Sequence, residues 1–183
     1  MIKFISLLFL VLSFIAQPSN AVEALKQGNI ILFRHANAPG VGDPPNFLVS
    51  DCSTQRNLDE VGRTQSKRIG EYLQFNGVKV HRVITSQWCR CKETAALAFS
   101  NLTAEARQEN PAFNSFFNER QDEPKQTESA KALLMEWKGP GTLVVVTHQV
   151  NITALTGIFP QSGEGIVLQK QGNQLKVVGR ITP

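Results

Sequence analysis

Ile30-Ile31-Leu32-Phe33-Arg34-His35-Ala36-Asn37 is the stretch that decides the reading of this chain. Four apolar residues in succession read as a buried strand. The strand stops at a guanidinium beside an imidazole, and Pro39-Gly40 soon follows. In an open α/β sheet, ligands bind just beyond the carboxyl ends of the strands. A neutral imidazole held there by a fixed cation is a candidate nucleophile for an anionic substrate. Taken alone, the segment fits a solvated strand end with two polar residues equally well.

Further along, the same pattern recurs twice. Val80 to Thr85 reads as a second strand, followed by Ser86, Arg90 and a helix from about Cys89 to Phe99. Thr142 to Thr147, with the run Leu143-Val144-Val145-Val146, reads as a third strand and ends at His148. If these strands are parallel neighbours, Arg34, His35, Arg90 and His148 converge at one sheet edge. Asp59 is a good N-cap for a helix to about Phe75, with an apolar face of Val61, Ile69, Tyr72 and Leu73 and a stop at Gly77. Thr127 is expected to cap a helix ending at Trp137, and Asn151 to Gly157 to form a short one. Ile166–Leu168 and Leu175–Val178 flank Gly172-Asn173 as a hairpin. Residues 36–55 read as a long loop. Residues 101–126 read as irregular, apart from Phe113, Phe116 and Phe117, which suit core or pocket wall. Strands alternating with helices predict an α/β three-layer sandwich with a mostly parallel central sheet.

Residues 1–21 read as a secretory signal peptide. Lys3 forms the n-region, Phe4 to Ala16 is an apolar stretch too short to span a bilayer, and Ser19-Asn20-Ala21 suits cleavage after Ala21. Residues 22–183 are then a single domain, and no later segment is apolar enough for stable membrane insertion. The expected location is periplasmic in a Gram-negative source and secreted otherwise. Without Lys3 the net charge is +3, with no Lys/Arg block. That suits a small anionic substrate and gives no nucleic-acid footprint. Nothing in the sequence calls for an obligate partner. Three cysteines remain. A bridge between Cys89 and Cys91 would be strained, so Cys52 is expected to pair with one of the two. A Cys metal site lacks a clear fourth ligand.

Four elements in order carry a resemblance. They are Arg34-His35-Ala36; Leu58 with Gly62 and Gln65; Ser86 with Arg90, Thr94 and Ala95; and Thr147-His148. Together they resemble the histidine phosphatase superfamily, whose fold is phosphoglycerate mutase-like. The resemblance implies that His35 is transiently phosphorylated and that Arg34, Arg90 and His148 clamp the phosphoryl oxygens, with no metal and no cofactor. Arginine forks match phosphate geometry, and phosphoryl transfer needs positive groups around the equatorial oxygens. The resemblance also implies a carboxylate acid between the second and third strands. Glu119 is the first candidate, with Asp122 and Glu123 behind it. Arg56 and Asn37 are further candidates for touching substrate, as is Gln149.

The chain is short for a mutase of this superfamily and resembles its small exported phosphatases, including ones proposed for lipopolysaccharide-core heptose phosphate. The expected activity is that of a metal-independent phosphomonoesterase acting on a small exported or envelope phosphate ester. The alternative is a non-catalytic phosphate-binding module on the same fold.

Overall fold

The structure, a computed structural model, describes residues 20–183. The leader expected over residues 1–21 lies outside the described residues, apart from its last two. Ala21 is buried and packs against Gly179. Among the described residues no helix is long and apolar enough to cross a membrane.

The chain runs α1 (Asn20–Lys26), β1 (Ile30–Arg34), α2 (Glu60–Phe75), β2 (Val80–Thr85), α3 (Cys89–Ala98), β3 (Arg107–Glu109), α4 (Glu123–Glu136), β4 (Thr142–Thr147), α5 (Gln149–Thr156), β5 (Gly165–Gln171) and β6 (Gln174–Ile181). One sheet has the order β3-β2-β4-β1-β5-β6. The pairs β1/β4, β4/β2 and β2/β3 are parallel, and β5 and β6 close the other edge antiparallel. β4 lies between β1 and β2, so the three polar exits seen in the sequence share one edge.

Two apolar layers explain the unbroken hydrophobic runs. Ile31, Phe33, Val144 and Val146 face α1, α2 and α3, while Ile30, Leu32, Leu143 and Val145 face α4 and α5. A strand covered on both sides needs apolar residues at every position. The result is the expected three-layer sandwich.

Several local details differ from the sequence reading. Val61, expected on the apolar face of α2, is 63% exposed, and the buried face is Gly62, Ser66, Ile69 and Leu73. The cause is a close approach: a Cβ on Gly62 would stand 2.1 Å from the Asn37 carbonyl oxygen. Only a small side-chain face lets the start of α2 lie against the segment after β1. Helix α4 starts at Glu123, not Thr127, with Pro124 in its first turn, where a missing N–H costs nothing. β3 falls within the region expected to be irregular.

Candidate active site

His35 follows the last residue of β1 and is held from three sides. Its backbone N–H donates to Thr147 O on β4. The next amide, Ala36 N, donates to Thr94 Oγ1 of α3, and Thr94 donates to Arg90 O. The Asn37 amide donates to Gln65 Oε1 of α2, and Gln65 Nε2 donates to Ser162 O. Thr94, Gly62 and Gln65 therefore fix the backbone that presents the imidazole.

The ring's protonation follows from its partners. Nδ1 is 2.8 Å from Ala36 O, which can only accept, so Nδ1 carries the proton. Nε2 accepts from Arg90 Nε at 3.2 Å. Burial, and then the Arg90 charge, hold His35 well below the usual histidine pKa, so it is neutral with its lone pair on Nε2.

His148, just past β4, is buried beside it, with ring centroids 5.5 Å apart. Its Nε2 meets Ser86 Oγ at 2.8 Å and lies 3.6 Å from Cys91 Sγ. Nδ1 is buried without a partner, as is Nε of Arg34. Burial, and then Arg90, keep His148 well below its usual pKa. Burial pushes the Cys91 thiol up to about 12, so it is no nucleophile at neutral pH.

A cavity of about 390 Å³ opens over these groups, and Arg34, Arg56, Arg90 and Arg120 line it with the two histidines. Among the described residues lining it, the one carboxylate is Asp43, which the sequence reading missed. Arg90 Nη1 donates to Asp43 Oδ1 at 2.5 Å and Arg90 Nη2 to Oδ2 at 3.2 Å, and Trp88 Nε1 donates to Oδ2 at 2.8 Å. Burial pushes the Asp43 carboxyl up, but these hydrogen bonds and the Arg90 charge outweigh it and hold it below the usual range. Asp43 is therefore a counter-ion and a brace for Arg90.

Arg56 lines the cavity but is committed to loop carbonyls, donating to Gly42 O at 2.8 Å and to Ala38 O. Burial and the Arg90 charge bring it down to about 10, still protonated at neutral pH. Positive charge thus outweighs negative in the pocket. Asn37 is not among the lining residues, because its side chain donates to Asp59 Oδ2 at the cap of α2. Gln149 does line the cavity.

Glu119 is not brought into the site. It is exposed just before the turn Arg120–Asp122, and its carboxylate accepts from Gln121. Asp122 and Glu123 do not line the cavity either. Of the phenylalanines, Phe113 and Phe116 are core and Phe117 is pocket wall.

Cys52 and Cys89 form a disulfide, leaving Cys91 free and buried. The bridge joins the loop that carries Asp43 and Arg56 to the first residue of α3. Among the described residues no cluster of three His, Cys, Asp or Glu side chains is placed to hold a metal ion.

Comparison with known proteins finds a family match over part of the chain and the same fold. The sequence profile of the Histidine phosphatase superfamily (branch 1) matches residues 30–113. The fold is similar to that of the protein histidine phosphatase SixA complexed with tungstate, at TM-score 0.60 and 17% identity, covering 84% of this chain and 96% of that one. It is similar to alpha-ribazole phosphatase from Shigella flexneri, at TM-score 0.58 and 16% identity, covering 82% and 95%. Mycobacterial glucosyl-3-phosphoglycerate phosphatase aligns at TM-score 0.58 and 14% identity, covering 82% and 96%. No curated protein matches the sequence.

Proposed function

We propose that this chain is a member of the histidine phosphatase superfamily and a phosphomonoesterase working through phospho-His35; the match of residues 30–113 and the fold support this. One observation carries the reading: a buried neutral imidazole, with its lone pair on Nε2, faces a cavity of guanidinium groups. Attack by Nε2 on phosphorus forms the N–P bond as the P–O bond to the leaving group breaks, and water then hydrolyses the phosphohistidine. Arg90 can turn its donors from His35 and Asp43 onto the phosphoryl oxygens. Arg34 Nε and His148 Nδ1, both without partners, supply further hydrogen bonds. Donors placed around the equatorial oxygens stabilise charge as it spreads over them. None of these roles requires a metal.

Export rests on the leader pattern at residues 3–21 and on the Cys52–Cys89 disulfide, which persists in oxidising compartments. A small phosphate ester outside the cytosol is the proposed substrate. Sequencing the mature N-terminus tests export; a chain retaining residues 1–21 would refute cleavage.

The activity is tested by hydrolysis of p-nitrophenyl phosphate in EDTA, with rapid-quench trapping of an acid-labile phosphoenzyme. The expected result is turnover and a trapped intermediate in the wild type, both lost in His35→Ala. Turnover that survives His35→Ala would overturn the mechanism. Phosphate binding without turnover would instead favour the binding module, a reading supported by the lack of a ready proton donor in the pocket.

A further inference from the structure

We propose that Phe117, Phe159 and Val41 form a subsite for an aromatic leaving group above the phosphoryl site; this rests on the phosphatase reading. Among the described residues seven large apolar side chains stand exposed, and these three, at 39%, 60% and 88%, line the same cavity as His35. Scattered exposed apolar residues need no explanation, but a group around one opening does.

Each is presented from an anchored backbone. Val41 sits between Gly40 and Gly42, which turn with φ of 97° and 69°, and Arg56 ties down the Gly42 carbonyl. Phe117 follows the fully buried Phe116, and Arg120 lies over its ring at 5.3 Å. Phe159 precedes Pro160, whose carbonyl accepts from Arg34 Nη1 at 3.1 Å. The Phe159 wall is thus tied through backbone to Arg34, and Val41 and Phe117 stand against Arg56 and Arg120 of the same cavity.

The charge pattern selects the occupant. The floor carries guanidinium groups that outnumber the one carboxylate, and the rim is apolar. A purely apolar partner would cover the floor and leave its charge uncompensated. Inorganic phosphate or a short polyol phosphate would leave the rim wet. A phosphate ester with an aromatic body satisfies both halves at once.

The test compares binding of benzylphosphonate and methylphosphonate by calorimetry, which needs no turnover. The phenyl compound is expected to bind the wild type about tenfold more tightly, and this ratio to fall toward one in Phe117→Ala/Phe159→Ala. A ratio near one in the wild type, or one that survives the double substitution, overturns the subsite while leaving the phosphatase reading intact. If neither phosphonate nor inorganic phosphate binds, both readings fall. A matched pair of substrates, 2-phenylethyl phosphate and ethyl phosphate, should show the same preference in kcat/KM, without the confounding effect of leaving-group acidity.

Discussion

Arg90 Nε lies 3.2 Å from His35 Nε2, so the guanidinium donates to the atom that attacks phosphorus in the proposed mechanism. The contact fixes the tautomer and, after burial itself, is the largest influence keeping the imidazole neutral. His148 is depressed for the same two leading reasons.

Stability should therefore depend on pH in a defined direction. Both histidines stay neutral in the folded chain, while in the unfolded chain they take up a proton below about pH 6.5. The unfolded state then binds more protons, so stability is complete above about pH 6.5 and is lost as pH falls toward the folded values. The two groups together should cost at most about 3 kcal/mol per pH unit below that point. Chemical denaturation at pH 7 and pH 5.5 measures this. A His148→Gln variant should show roughly half the slope, and an unchanged slope would place the titration elsewhere.

Asp43 and Arg90 form a buried pair, with side chains 7% and 3% exposed. Removing one member of such a pair strands the other charge, at a cost of about 3–5 kcal/mol. Asp43→Ala should lower the melting temperature accordingly. Inorganic phosphate should then raise it by more than in the wild type, because it supplies the anion that Arg90 has lost. Equal phosphate shifts in both proteins would show that Arg90 does not face the anion site.

Among the described residues the one carboxylate lining the cavity is Asp43, which is held ionised, so on the proposed mechanism little proton donation to the leaving oxygen is expected. Across a series of aryl phosphates, kcat/KM should fall steeply as the leaving-group pKa rises. Glu119→Gln, which alters an exposed side chain outside the cavity, should leave both the slope and the rates within about twofold of wild type. A shallow slope that steepens in Glu119→Gln would restore that residue as the acid.

The Cys52–Cys89 bridge closes a loop across 37 positions. Cys52→Ser/Cys89→Ser should lose about 2–4 kcal/mol by denaturant titration. Its KM should also rise, because the bridge anchors the loop holding Asp43 and Arg56 beside Arg90. A loss of stability with KM unchanged would confine the bridge to a structural role.

The sheet and the imidazole pair were legible in the sequence because their signals are local. Ile30–Phe33 and Leu143–Val146 are apolar without interruption since both faces are covered, and each run is followed two residues on by a buried histidine. Asp43 left no such signal. It is one acidic residue in a Pro- and Gly-rich loop, and its meaning comes from a partner 47 positions away. Glu119 fits the stretch where the resemblance implies an acid, but it stands exposed to solvent just before the short turn from Arg120. β3 was missed because a three-residue polar edge strand, Arg107–Glu109, carries no apolar alternation. The start of α4 was misplaced because Thr127 looked like a cap, while Pro124 held the better signal. Of the two bridges left open for Cys52, spacing could not choose; the structure has Cys89, leaving Cys91 against His148.

The covalent tie between the Asp43–Arg56 loop and α3 also sets a timetable. If the proposed export is right, that tie can close only after the chain leaves the reducing cytosol. Until then the Asp43 contacts to Arg90 and Trp88 would hold the loop, and the bridge would add permanence to a geometry those hydrogen bonds already define.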